Sequence, residues 1–295
     1  MNTTPSSPTA ARERALVLGG GGSTGNAWLI GVIAGLFDAG LDVTTADLTI
    51  GTSAGATAAA QLAGASPTEL LAAVLATAPP PRTGPAGARP VTDHLEKFRR
   101  IIAEADDQAD LRRRMGAAAL AASDDSWPQR WRDIVAARLP TQDWPRRAVL
   151  ITAVDARTGD PVVFDRDSGV DLVDAVAAST SGGGSAFSIG DGWYIDGGYR
   201  SNAENADLAA GYHRVLVLSP LSGRSLYPPE WGTQLAAQVD QLRAGGSRVE
   251  TIVPDSASDH LFGANAMDPS LRPAAARAGR DQGRSLVERL TEFWR

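Results

Sequence analysis

The residues best suited to chemistry in this sequence lie in Gly51-Thr52-Ser53-Ala54-Gly55. Ser53 follows the short apolar run Asp47-Leu48-Thr49-Ile50 and precedes Ala56 to Gly64, a small-residue segment that suits a helix. A serine on a tight turn between strand and helix presents its hydroxyl clear of the backbone. Side chains two residues before and after it would collide, which is what Gly51 and Gly55 avoid. Ser53 would then sit at a helix N-terminus, where unpaired N–H groups favour developing negative charge. The chemistry this allows is nucleophilic attack on a carbonyl. A purely structural turn is the other reading of the same five residues.

Attack by serine needs hydrogen-bond donors for the oxyanion of the tetrahedral intermediate; losing one such donor costs about 10²–10³ in rate. Gly19 to Gly25, GGGGSTG, offers them: Gly20, Gly21 and Gly22 can turn successive N–H groups into one concavity, and Gly25 closes the motif. Ala54, directly after the serine, adds a further N–H. The same loop competes as a dinucleotide site, because Gly20-x-Gly22-x-x-Gly25 follows a strand and opens a helix, with Asp42 and Asp47 near the spacing of a ribose-binding acid. Asp42, however, follows the break at Gly40, and Asp47 precedes the second strand instead of ending it. That reading also leaves GTSAG without a purpose. No Gly-Lys-Ser/Thr is present, so a nucleoside-triphosphate loop is excluded.

Serine is a weak nucleophile until a neighbour takes its proton. The three histidines, His94, His213 and His260, are far apart, and His213 opens the strand RVLVLSP at the end opposite the active-site loops of a parallel sheet. His260 lies in the polar loop DSASDHLFG, where nothing in the sequence fixes its position. Asp196, in YIDGGYRSN, is the better base: it ends a strand, and Gly197 and Gly198 allow it to approach another loop closely. An ordinary aspartate, with a pKa of about 3.9, is a poor base unless burial raises it.

These residues need a scaffold. ALVL, ending in glycines, reads as a buried strand; NAWLIGVIAGLFDAG as a helix stopping at Gly40; and ADLTI as a second strand. The alternation predicts parallel, right-handed βαβ units, and so an α/β fold. Residues 67–145 differ. A proline- and glycine-rich connection there joins helical stretches of mixed charge, and Trp127, Trp131 and Trp144 lie among arginines. That segment reads either as a cap packed on the core or as a lid that touches lipid. Strand signals resume with RAVLITAVDARTGDPVVFD, two strands joined at Thr158-Gly159, and the chain closes on a helix.

The 295 residues are 43% hydrophobic and 21% charged, an ordinary globular composition that predicts one domain over 14–295 behind a disordered leader at 1–13. The absence of cysteine excludes disulfides, thiolate metal sites and a cysteine nucleophile; the histidines have no metal-ligand spacing. A net charge of -6 argues against a nucleic-acid partner. With no apolar stretch of spanning length, the expectation is a cytoplasmic protein, peripheral to membranes at most.

Taken together, GGGGSTG after the first strand, GTSAG after the second and DGG far downstream resemble patatin-like phospholipases, serine lipid acyl hydrolases with a Ser–Asp dyad. The resemblance implies a three-layer α/β/α sandwich around a mostly parallel sheet. It also implies Ser53 as nucleophile, Asp196 as base, Gly20, Gly21 and Gly22 as oxyanion-loop glycines, a lipid or acyl-ester substrate, and no metal or organic cofactor. Two positions depart from the family. Thr24 stands where its loop usually carries a basic residue, and STSGGGSAFSIGDG replaces a proline-containing apolar segment. They imply a weaker oxyanion hole and a poorer acyl wall at Gly182–Gly184, and motivate the alternative of a catalytically weak lipid-binding relative.

Overall fold

The computed structural model describes residues 12–76, 91–124, 126–182 and 184–295. Residues 1–11 of the expected leader, the proline-rich connection at 77–90 and Gly183 lie outside the described residues. The chain runs β1 (Arg14–Leu18), α1 (Gly22–Asp38), β2 (Leu48–Gly51), α2 (Ala54–Gly64), α3 (Pro67–Ala76), α4 (Val91–Glu104), α5 (Gln108–Leu120) and α6 (Trp127–Ala136). It continues through β3 (Ala148–Asp155), β4 (Pro161–Phe164), α7 (Leu172–Ser179), β5 (Phe187–Ile189), β6 (Gly192–Asp196), β7 (Arg214–Leu218), α8 (Leu235–Ala244), β8 (Arg248–Ile252) and α9 (Arg272–Trp294).

One eight-stranded sheet has the order β5-β6-β3-β2-β1-β7-β8, with β4 paired to β3. From β3 to β8 the pairings are parallel; β4, β5 and β6 add antiparallel ladders. The alternation of buried residues along β1 explains the layers. Leu16 and Leu18 face a core shared with α1, α2, α7 and α9, whereas Ala15 and Val17 face α8 on the other side. A third cluster packs α5 against Val154 and Ile195. The result is the expected three-layer α/β/α arrangement around a mostly parallel sheet.

α1 and α9 touch backbone to backbone. A Cβ at Gly31 or Gly35 would come within 2.2 Å of an α9 carbonyl oxygen. Among the described residues no helix is long and apolar enough to cross a membrane.

The site depends on one consequence of register. β2 pairs with β3 only as far as Gly51↔Ile151, while β3 continues to Asp155. β6 runs antiparallel along that overhang, Asp155↔Tyr194 through Ala153↔Asp196, so its last residue arrives where β2 ends. The parallel neighbours β1 and β2 also release their chains at this edge, as parallel strands must.

Candidate active site

Ser53 occupies the turn between β2 and α2 with φ 53° and ψ -113°, a left-handed backbone that a non-glycine residue rarely adopts. The flanking glycines are sterically required. A Cβ on Gly55 would lie 1.8 Å from the Leu18 carbonyl oxygen, and one on Gly51 would lie 2.7 Å from Ala56 Cα. The strain is held by the surroundings: the Ser53 N–H donates to Ser179 Oγ at the end of α7, 2.9 Å away.

The Ser53 hydroxyl donates to Asp196 Oδ2 at 2.7 Å, and the other carboxylate oxygen, Oδ1, accepts the Gly198 N–H at 2.8 Å. Burial raises the Asp196 pKa to about 6; the bonds from Gly198 and Ser53 oppose that rise without cancelling it. Gly197 is needed because a Cβ there would meet Thr152 Oγ1 at 2.1 Å. Asn205, itself in the left-handed region at φ 54°, ties the site together. Its Nδ2 donates to Gly197 O at 2.9 Å and Thr52 Oγ1 at 3.0 Å, and Thr52 and Thr152 bond to each other at 2.9 Å. Thr52, Thr152 and Asn205 are all fully buried, so the chain ends that carry Ser53 and Asp196 are joined by a network closed to water.

The glycine loop lies directly beside the serine: a Cβ on Gly20 would be 3.5 Å from Ser53 Cβ. The Gly20 N–H, however, donates to Ala203 O at 2.7 Å and is spent in the fold, contrary to the expectation that it faces an oxyanion. The N–H groups of Gly21, Gly22 and Ala54 have no partner among the described residues. They belong to the starts of α1 and α2, where first-turn donors lack intrahelical acceptors. α1 thus begins inside the glycine run, at Gly22, four residues earlier than the sequence suggested. Gly25 sits one turn into the helix, packed under Pro220.

Behind the loop, Glu204 is 2% exposed, accepts the Ser219 hydroxyl at 2.6 Å, and is raised by burial to about 7. Thr24 is buried, with its N–H donating to Ala266 O at 3.0 Å. A cation does reach this loop, from the start of α9: Arg272 Nη1 donates to Ser23 O at 2.8 Å and Nη2 to Asn26 Oδ1 at 3.0 Å. Sequence reasoning missed Ser179, Asn205, Thr52, Thr152, Glu204 and Arg272. Thr52 lies inside the serine motif but carried no role there, and each of the others is a single polar residue with no motif around it.

The competing readings separate cleanly. His213 is exposed at the start of β7, and the ring of exposed His260 lies 3.1 Å from Ala257 O; neither ring bonds to Ser53 or Asp196. The His94 side chain lies outside the described residues. Asp42 caps the turn at Val43–Thr45, and Asp47 accepts the Glu13 and Arg14 N–H groups at the amino edge of the sheet, away from the glycine loop. Trp131 donates to Ala177 O at 3.2 Å and Trp144 to Val170 O at 2.7 Å, so both indoles are fastened inward around α7.

The glycine loop, the serine turn and the strand-end aspartate converge in the chain order of one family, and the profile of patatin-like phospholipases matches residues 16–208. The chain belongs to that family. Two solved structures are similar to this member. VipD from Legionella pneumophila is 13% identical with a TM-score of 0.45, over 95% of this chain and 68% of that one. The type III effector protein ExoU is 17% identical with a TM-score of 0.36, over 92% of this chain and 54% of that one. A comparison with curated proteins finds no match.

Proposed function

We propose that the protein hydrolyses acyl esters of lipids through Ser53 and Asp196. The observation that carries this reading is the 2.7 Å bond from the Ser53 hydroxyl to a buried carboxylate, made from a strained turn between strand and helix. Asp196 Oδ2 takes the hydroxyl proton as Ser53 Oγ attacks the ester carbonyl. Gly21, Gly22 and Ala54 N–H groups receive the oxyanion, aided by the N-termini of two helices. The ester C–O bond then breaks, and the leaving alkoxide takes the proton from Asp196. Water, deprotonated by the same carboxylate, attacks the acyl-serine; the intermediate collapses to free acid and Ser53 regains its proton. A pKa near 6 suits this double duty, since the carboxylate is ionised at neutral pH yet basic enough to accept a proton.

The test is turnover of p-nitrophenyl esters by wild type and Ser53→Ala, with labelling by a fluorophosphonate. Turnover and labelling that vanish together in the variant support the reading. Equal labelling of both proteins, or no ester turnover by folded wild type, would leave the lipid-binding alternative in its place.

A further inference from the structure

Two arginines of α6 show how this chain ordinarily holds a guanidinium: Arg132 pairs with Asp174 at 2.7 Å and Arg130 with Asp124 at 3.3 Å. Arg138, just past the end of α6, and Arg272, at the start of α9, depart from that pattern. Among the described residues neither pairs with a carboxylate, and the Arg138 guanidinium makes no hydrogen bond; it lies over the Trp131 ring, 5.3 Å from the centroid. Arg272 spends its fork on neutral acceptors: Ser23 O, Ser23 Oγ at 3.4 Å and Asn26 Oδ1.

The two arginines belong to one frame. Asn26, whose oxygen accepts Arg272, donates through Nδ2 to Gln61 Oε1 at 3.0 Å, and Gln61 Nε2 donates to the Arg138 carbonyl at 3.1 Å. Trp131 is fixed in turn by its bonds to Ala177 O and Thr180 Oγ1, both 3.2 Å, and by stacking on Trp127, centroids 5.2 Å apart. The charge held there is uncompensated. Arg272 begins one helix and reaches the first turns of another, and a cation is unfavourable at a helix's positive end. Partial burial lowers the pKa of both arginines, and the Arg138 charge lowers that of Arg272 further. A partly buried cation without a counter-charge is costly, and a bound anion relieves that cost.

We infer that Arg138 and Arg272 form a binding site for a phosphate monoester group. A guanidinium grips two oxygens of an anion side by side in its own plane. Two forks on separate elements suit a tetrahedral anion with oxygens on several sides, whereas a planar carboxylate satisfies one fork. The near-double charge of a phosphate monoester at neutral pH also matches two cations. Arg138 is exposed and Arg272 half-buried, so the group enters from solvent. Neither arginine bonds to Ser53 or Asp196, and Gln61, which joins the frame, stands about two turns along α2 from Ser53. The site therefore does not depend on the dyad reading above. The group it takes is either free phosphate or the headgroup of phosphatidic acid at a membrane surface.

The experiment is calorimetric titration with inorganic phosphate at constant ionic strength, with chloride as the blank, on wild type, Arg138→Gln, Arg272→Lys and Arg130→Gln. Wild type should bind phosphate saturably. Arg138→Gln should weaken binding at least about tenfold, because it removes a whole charged fork. Arg272→Lys keeps the charge and loses the fork; it should weaken binding several-fold, and it carries the test if the first variant does not fold. Arg130→Gln removes the same charge from a position already paired with Asp124 and should keep the wild-type affinity. Flotation with phosphatidylcholine vesicles, with and without ether-linked phosphatidic acid, identifies the source; the ether lipid has no ester to cleave. Binding confined to vesicles with phosphatidic acid, and lost in Arg138→Gln, assigns the headgroup. Phosphate binding without vesicle binding assigns the free ion. Wild type that binds neither, or equal loss in Arg138→Gln and Arg130→Gln, overturns the site. Ser53→Ala should bind phosphate as wild type does, so this site and the dyad fail independently.

Discussion

Replacing Asp196 by asparagine separates what this residue does for chemistry from what it costs the fold. The side chain keeps its shape and a carbonyl oxygen for the Gly198 N–H, but it cannot accept the Ser53 proton. Losing a general base costs about 10²–10⁴ in kcat. Stability should move the other way. Burial raises the carboxyl from 3.8 to about 6 in the fold, and at about 1.4 kcal/mol per pK unit the ionised form then costs the native state about 3 kcal/mol. The folded pKa is above the unfolded one, so the native state binds more protons between pH 4 and 6, and wild-type stability falls as pH rises through that window. The advantage of Asp196→Asn should therefore be near zero below pH 4, grow between pH 4 and 6, and level off above pH 7. For a chain of 295 residues it corresponds to a rise in Tm of about 5 °C at pH 8. Urea denaturation of both proteins from pH 4 to 8, alongside ester turnover, reads all of this. In wild type the rate should rise with pH through about 6, as the base ionises. A variant that is less stable at pH 8, or whose stability difference does not change with pH, would refute the buried-carboxylate reasoning. Full activity would refute the base.

Other substitutions test the scaffold. Gly55→Ala should cost about 3 kcal/mol or more, or prevent folding, because its Cβ would stand 1.8 Å from a backbone oxygen of β1. Gly40→Ala, at φ 91° with nothing within 4 Å, should cost only about 1 kcal/mol of backbone strain; urea midpoints distinguish the two. Glu204→Gln should stabilise the protein above pH 7 and have no effect below about pH 4.5. Burial raises Glu204 to about 7, so wild-type stability falls as pH rises through that interval; a pH-independent difference would contradict it.

Much of the fold was legible because its signals are local. The strands ALVL and RVLVL, the hairpin through Gly159 and the helices at 172–179 and 272–294 follow from apolar runs and turn residues within a few positions. β8 was missed because Glu250 interrupts a short strand; α8 and β5 carried no strong pattern either. The bland reading of Trp131 and Trp144, as side chains that pack a cap on the core, matches their bonds to residues around α7.

The sequence by itself determined the serine turn. Its geometry is a matter of neighbours: a strand, a residue forced to positive φ, a helix, and glycines where side chains would strike backbone. It also marked the DGG aspartate as able to make a close approach. Only the tertiary structure decided that Asp196 meets Ser53, because the meeting depends on how far β3 overhangs β2 and on β6 returning antiparallel along that overhang. It also decided that the Gly20 N–H is spent on Ala203, and that Ser179 and Asn205 hold the turn. Register and hydrogen-bond partners between segments a hundred residues apart are set by packing of the whole sheet, and no local pattern records them.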